Sequence, residues 1–219
     1  MSDSTSRRNR KVRPISYRDF RNAVTEEACC AGDGSDTTTT LATLVVRDLD
    51  GLKPADMLEK LFGGGTGSPV NGVWHHAVVG EILFVCLRNA GYPITDELIE
   101  EVIDRGRQIP GGSCGFLGGC GALSSAASAY AILLGSTPVA VAPRERLLAF
   151  SARLLSRLAE IGGSRCCKKS SYVALEIARD EFARLGFELP EEQFEGRCPF
   201  FSDNETCDGD ECVYFPRQR

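Results

Sequence analysis

The stretch from Pro110 to Gly135, PGGSCGFLGGCGALSSAASAYAILLG, restricts the fold more than any other part of the chain. Six glycines surround Cys114 and Cys120, and a run of Ala and Ser follows. Glycine opens backbone conformations that other residues resist and lets a second segment come close. The pattern predicts a turn and then a helix over 117–134, with Cys120 near its start. Free N–H groups and the helix dipole there favour a thiolate. Small side chains from Ala122 to Ala129 let a neighbouring helix approach. A backbone nest around sulfur suits a bound cluster or anion. The plainer alternative is a tight turn with two space-filling cysteines.

The rest of the chain predicts more helices. Pro54 suits the first turn of a short helix over 54–62. Asn71 reads as the N-cap of a buried helix over 72–89, with Gly91 as its C-cap and Pro93 as a stop. Thr95 opens an acidic helix that closes near Gly106. PRERLLAFSARLLSRLAEIGG is amphipathic and ends at Gly162 and Gly163. SSYVALEIARDEFARLGF is a further helix. One strand is expected around Leu41 to Arg47. The fold class is mainly α: a helical bundle with glycine-rich cysteine loops and an irregular, cysteine-rich C-terminal tail. Residues 1–37 read as a disordered or loosely attached segment, 38–187 as the helical domain, and 188–219 as a tail packed on that domain.

Charge narrows the function. The net charge is −5, so nucleic acid is an unlikely partner, because its binders more often carry a basic balance. No segment reads as membrane-spanning. The polar start, MSDSTSRRNRKVRP, lacks the apolar run of a secretory signal. The expected location is the cytoplasm, where thiols stay reduced. In that setting ten cysteines point to metal or redox chemistry rather than a disulfide framework.

Three further groups carry chemistry. Cys166 and Cys167 stand in GGSRCCKKSS, flanked by Arg165, Lys168 and Lys169. Nearby cations lower a thiol pKa and offset a thiolate-held cluster. Adjacent cysteines do not easily chelate one ion, so they serve two sites, or one ligates while the other packs. Cys198, Cys207 and Cys212 lie in the acidic tail and need a fourth ligand for a closed zinc site or a full cubane; Cys166 or Cys167 can supply it. His75 and His76 are accessory candidates, since a helical histidine is more often a hydrogen-bonded core residue than a ligand. Cys86 sits too far along the same helix to share an ion with His75. Cys29 and Cys30 receive no role. No Ser-His-Asp set and no dinucleotide fingerprint is present.

PGGSCGFLGGCGA, EIGGSRCCKKSSYVAL and CPFFSDNETC followed by a further cysteine together resemble a cysteine-rich family of unknown function. That family occurs in methanogenic archaea and various bacteria, and some members join it to a methyltransferase-like domain. The first block is more distantly similar to a family described as redox-active and marked by a C-GCA-G-C-C pattern. The resemblance spans 71–216. It implies that Cys114, Cys120, Cys166, Cys167, Cys198, Cys207 and Cys212 occupy family motif positions, and it supplies no reaction.

The functional expectation is a cysteine-ligated metal protein with one iron–sulfur cluster or two. It acts in electron transfer or sulfur handling for a partner enzyme. Cys114, Cys120 and one vicinal cysteine form the first ligand set; the tail cysteines and the other vicinal cysteine form the second. The alternatives are a structural zinc module that presents a binding surface, and a metal-free thiol or persulfide enzyme.

Overall fold

The structure is a computed structural model that describes residues 46–51, 53–63 and 71–217. Among the described residues, seven α-helices with both ends described follow one another: α1 (Pro54–Gly63), α2 (His75–Asn89), α3 (Asp96–Arg107), α4 (Ser113–Phe116), α5 (Gly121–Leu134), α6 (Val141–Ile161) and α7 (Cys167–Ala183). Two 3₁₀ turns, Phe201–Asp203 and Gly209–Glu211, punctuate the tail. The fold is mainly α. The strand expected around Leu41 to Arg47 is not a strand where it is described: Val46 and Arg47 are helical, and 41–45 lie outside the described residues. The segment 1–37 also lies outside them.

α2 is the axis of the bundle. Ala77 to Leu87 are all buried, so apart from Glu81 this helix is apolar on every side and other elements must surround it. α3, α5, α1 and α7 pack around it. The small residues of α5 allow one very close approach. A methyl group on Gly80 would lie 2.6 Å from Val102 and 2.9 Å from the Ser125 carbonyl. The Gly80 N–H instead donates to Ser125 Oγ at 2.8 Å. α6 lies outside, burying only Phe150 and Leu154. Phe150 meets Tyr130 at 4.7 Å between ring centroids, which seats α6 on α5.

Helix boundaries differ from the sequence expectation in places that matter for the site. The helix expected over 117–134 is two elements. α4 carries Cys114, and α5 starts after Cys120, its N-cap residue. The final helix begins at Cys167, so Lys168 and Lys169 occupy its first turn and are buried. Asn71 does not cap α2, whose N-cap residue is Trp74. The Asn71 carboxamide accepts from the Cys167 N–H at 2.9 Å, where the free N–H groups of α7 need an acceptor.

The tail folds back onto the bundle. Arg197 reaches Asp56 and Glu59 of α1, each at 2.6 Å, and Glu192 at 3.1 Å. Gly196 N–H donates to the Val213 carbonyl and Cys198 N–H to that of Tyr214. These bonds close the tail into a loop that brings its three cysteines together.

Candidate metal centre

Eight cysteines lie among the described residues, and all are free thiols. Seven gather where α4, α5, α7 and the tail meet; Cys86 stays apart in the core, its thiol 3.5 Å from the Met57 sulfur. The seven line two adjoining spaces. An open cleft of about 450 Å³ is bordered by Cys114, Cys120, Cys166 and Cys167. A small cavity of about 20 Å³ is bordered by Cys166, Cys198, Cys207 and Cys212.

The electrostatics divide the thiols in the same way. Burial pushes Cys198 up to about 12, and the charges of Cys166, Cys212 and Cys207 push in the same direction. Burial raises Cys212 as well, against the pull of Lys169, with Cys166 and Cys207 adding to the rise. In the cleft, burial pushes Cys167 up to about 12, with Cys120 and Cys114 adding to it. Burial also raises Cys114, with Cys120 contributing. The vicinal pair is therefore split: Cys166 belongs with the tail thiols and Cys167 with Cys114 and Cys120. The peptide between them joins the two sets.

Backbone N–H groups point at the sulfurs. Cys166 Sγ accepts from Lys169 N and Cys207 Sγ from Gly209 N, each at 3.4 Å. The backbone at Phe200, Tyr214 and Gly72 opposes the rise of Cys198, Cys212 and Cys167 in turn. Three long helices also begin at the cleft. His75 and His76 open α2, Gly121 opens α5, and Cys167 opens α7. Their partial positive charges converge on the thiols.

The flanking cations pull the thiols down as the sequence suggested, Arg165 at Cys114 and Cys167 and Lys169 at Cys212, but they do not prevail. Arg165 does oppose the rise of Cys167, yet burial outweighs it. Lys169 opposes the rise of Cys212 in the same way, while its ammonium meets Asp208 at 2.7 Å and the Gly162 carbonyl. Asp208 also accepts from the Ser164 N–H at 2.8 Å. Gly163 stands at φ +77, where a Cβ would overlap the Asp208 carboxylate. Asp208 thus ties the tail to the loop carrying Cys166. Its position directly before Gly209 was the only sequence signal for a tight turn there.

The two histidines part company. His75 Nδ1–H donates to the Gly72 carbonyl at 2.9 Å, and its Nε2 faces Lys168 Nζ at 3.2 Å. Phe62, Trp74 and Phe200 surround that amine. His76 Nδ1–H donates to the Ile109 carbonyl at 3.0 Å, and its ring lies against Gly121 at the cleft. Among the described residues, no group of three or more His, Cys, Asp or Glu side chains is arranged to hold a metal ion as it stands. One ion would require the thiols to close in around it.

A family model matches residues 43–215. The chain belongs to DUF5714, a family of unknown function. The matched region of this DUF5714 member contains every element from α1 to the tail, and both thiol sets. No curated protein and no solved structure matches it. No helix among the described residues is long and apolar enough to cross a membrane.

Proposed function

We propose that the chain is a cysteine-ligated metal protein with an iron–sulfur cluster in the cleft of Cys114, Cys120 and Cys167. Its setting is the cytoplasm, and its role is electron transfer or sulfur handling for a partner enzyme. One observation carries this reading: seven thiols divide into two adjoining sets at the Cys166–Cys167 peptide. Clustered thiolates in dry surroundings repel one another, and a bound cation offsets that cost. Soft thiolate sets select iron–sulfur clusters or zinc. Backbone N–H groups directed at sulfur stabilise ligating thiolates and tune a cluster's potential.

Bound in the cleft, a cluster supplies electrons singly or sulfide for transfer. The chain holds it with three thiolates and three helix N-termini. The opening of the cleft beside exposed Cys114 leaves a path for a partner.

A second reading has its own support. The tail cavity offers four thiols around about 20 Å³, space for about one water-sized occupant. That fits a closed, structural zinc better than a cluster. The metal-free thiol enzyme needs a thiol of depressed pKa; burial moves Cys114, Cys167, Cys198 and Cys212 the other way.

Anaerobic purification, metal analysis and a visible spectrum on one sample test the proposal. Brown protein with iron and acid-labile sulfide is expected. Colourless protein with zinc alone favours the structural module, and no metal after reconstitution refutes both metal readings.

A further inference from the structure

We propose that His76 completes the cleft centre as its fourth donor, through Nε2, and that His75 takes no part in ligation. The inference rests on the reading that the cleft thiols hold a metal. Cys114, Cys120 and Cys167 supply three donors, and a closed four-donor set requires one more. Cys166 borders the cleft but is grouped with the tail thiols. Arg165 and Lys169 are donors of protons and offer no lone pair while charged. The nearby hydroxyls are already directed elsewhere. Ser113 Oγ donates to the Pro110 carbonyl, Ser170 Oγ to that of Cys166, and Ser164 bonds Asp208.

His76 has the geometry a ligand needs. A carbonyl only accepts, so the bond from Nδ1 to Ile109 O fixes the proton on Nδ1 and leaves a lone pair on Nε2. A ligating histidine is commonly held by this kind of backbone bond from its other nitrogen. Among the described residues, no hydrogen bond to His76 Nε2 accompanies it. Two glycines lock the residue in place. A Cβ on Gly106 would overlap the His76 carbonyl, and a Cβ on Gly121 would overlap ring atoms including Nε2. Gly121 follows Cys120 directly, so the free nitrogen lies beside the thiol-bearing turn. His75 shares the backbone bond at Nδ1 but differs at the other nitrogen: its Nε2 is taken by Lys168 inside an aromatic enclosure.

The test uses the full chain, reconstituted anaerobically with iron and sulfide. His76→Ala, His76→Cys and His75→Gln chains are treated identically. Iron content, visible spectrum and helical circular dichroism are read on each. His76→Ala is expected to keep its helical signal and bind cleft iron at least about tenfold more weakly. His76→Cys is expected to retain iron with an altered spectrum, and His75→Gln to match the parent. Iron and spectrum unchanged in a folded His76→Ala chain overturn the assignment. Pulsed electron paramagnetic resonance of the reduced parent, grown with ¹⁵N-histidine, needs no His76 variant to fold. A nitrogen coupled to the cluster is expected; a cluster signal without one overturns the assignment. A parent that takes up no iron overturns the proposed function and this inference together.

Discussion

Lys168 Nζ stands 3.2 Å from His75 Nε2, enclosed by Phe62, Trp74 and Phe200. No salt bridge reaches Lys168 among the described residues. Burial holds its pKa down to about 6, against an ordinary 10.5. Aromatic faces and an imidazole lone pair recover only part of what the ammonium loses with its water. The buried amine sits one residue from Cys167 and two from Cys166, so positive charge is available between the two thiol sets when they are ionised.

This arrangement predicts a pH dependence for the metal-free protein. The folded chain binds fewer protons at Lys168 than the unfolded chain between pH 6 and 10.5. Stability therefore rises across that window and is lowest below it. Lys168→Met removes the dependence and is expected to stabilise the metal-free chain at pH 7 by on the order of 3 kcal/mol. Urea unfolding at pH 6, 7.5 and 9 checks it; parallel slopes for parent and variant count against it.

Glycine-to-alanine changes around His76 test how tightly it is held. Gly106→Ala drives a methyl into the His76 backbone, and Gly121→Ala drives one into its ring. Each is expected to cost about 1–3 kcal/mol through overpacking, with Gly106→Ala the worse because backbone yields less than a side chain. Thermal melts compare them with Gly115→Ala, where a Cβ meets nothing within 4 Å.

Asp208→Ala releases the tail from the Cys166 loop. It leaves the buried Lys169 ammonium without its carboxylate and is expected to destabilise by about 3 kcal/mol. Burial alone would raise the Asp208 pKa, but the bonds from Lys169 and Ser164 prevail and hold it below the usual value. Its contribution is therefore present above the ordinary carboxylate range and lost as pH falls through the folded value. Limited proteolysis should cut the tail of the variant first; an intact tail argues against the tether.

The vicinal cysteines should be separable. Cys166→Ala is expected to abolish metal at the tail site while the cleft keeps its own, and Cys167→Ala the reverse. Equal loss in both chains would mean one shared site. For either set, metal must displace protons from thiols that burial keeps protonated, so affinity rises steeply with pH, by up to about tenfold per unit for each such thiol. Chelator competition at pH 6.5 and 7.5 measures the slope.

Glu81 offers a test far from the thiols. Both carboxylate oxygens are buried without a hydrogen bond among the described residues, and Arg47 Nε approaches at 3.5 Å. Burial raises the Glu81 pKa well above its ordinary value, against the pull of Arg47. The raised value means stability is lost as pH rises from the ordinary carboxylate range through the folded value. Glu81→Gln is expected to flatten that loss and to be more stable than the parent at pH 7, read by urea unfolding at pH 5 and 7.

Much of the bundle was legible in the sequence. Thr95 caps α3 by accepting from the Leu98 N–H, and Gly162 ends α6, both as local signals indicate. Reading failed where the partner is distant. Asn71 looks like a cap for the next helix and instead caps one that starts 96 residues later. Lys168 and Lys169 look like a solvated basic flank and are buried, one in an aromatic enclosure and the other against Asp208. That the vicinal cysteines can serve two sets was legible, since neighbours do not easily chelate one ion, but which of Cys166 and Cys167 joins which set has no sequence signature, because adjacent residues share every local context.

The sequence by itself determined the helical class and most helix ends, since periodicity, caps and glycine act within a few residues, and it singled out the seven cysteines that the structure gathers. Only the tertiary structure decided which thiols meet, that His75 Nε2 is taken by Lys168 while His76 Nδ1 bonds the Ile109 carbonyl, and that burial outweighs the flanking cations. Those outcomes depend on desolvation and on contacts between α2, α5, α7 and the tail. Neither exists until the chain has packed.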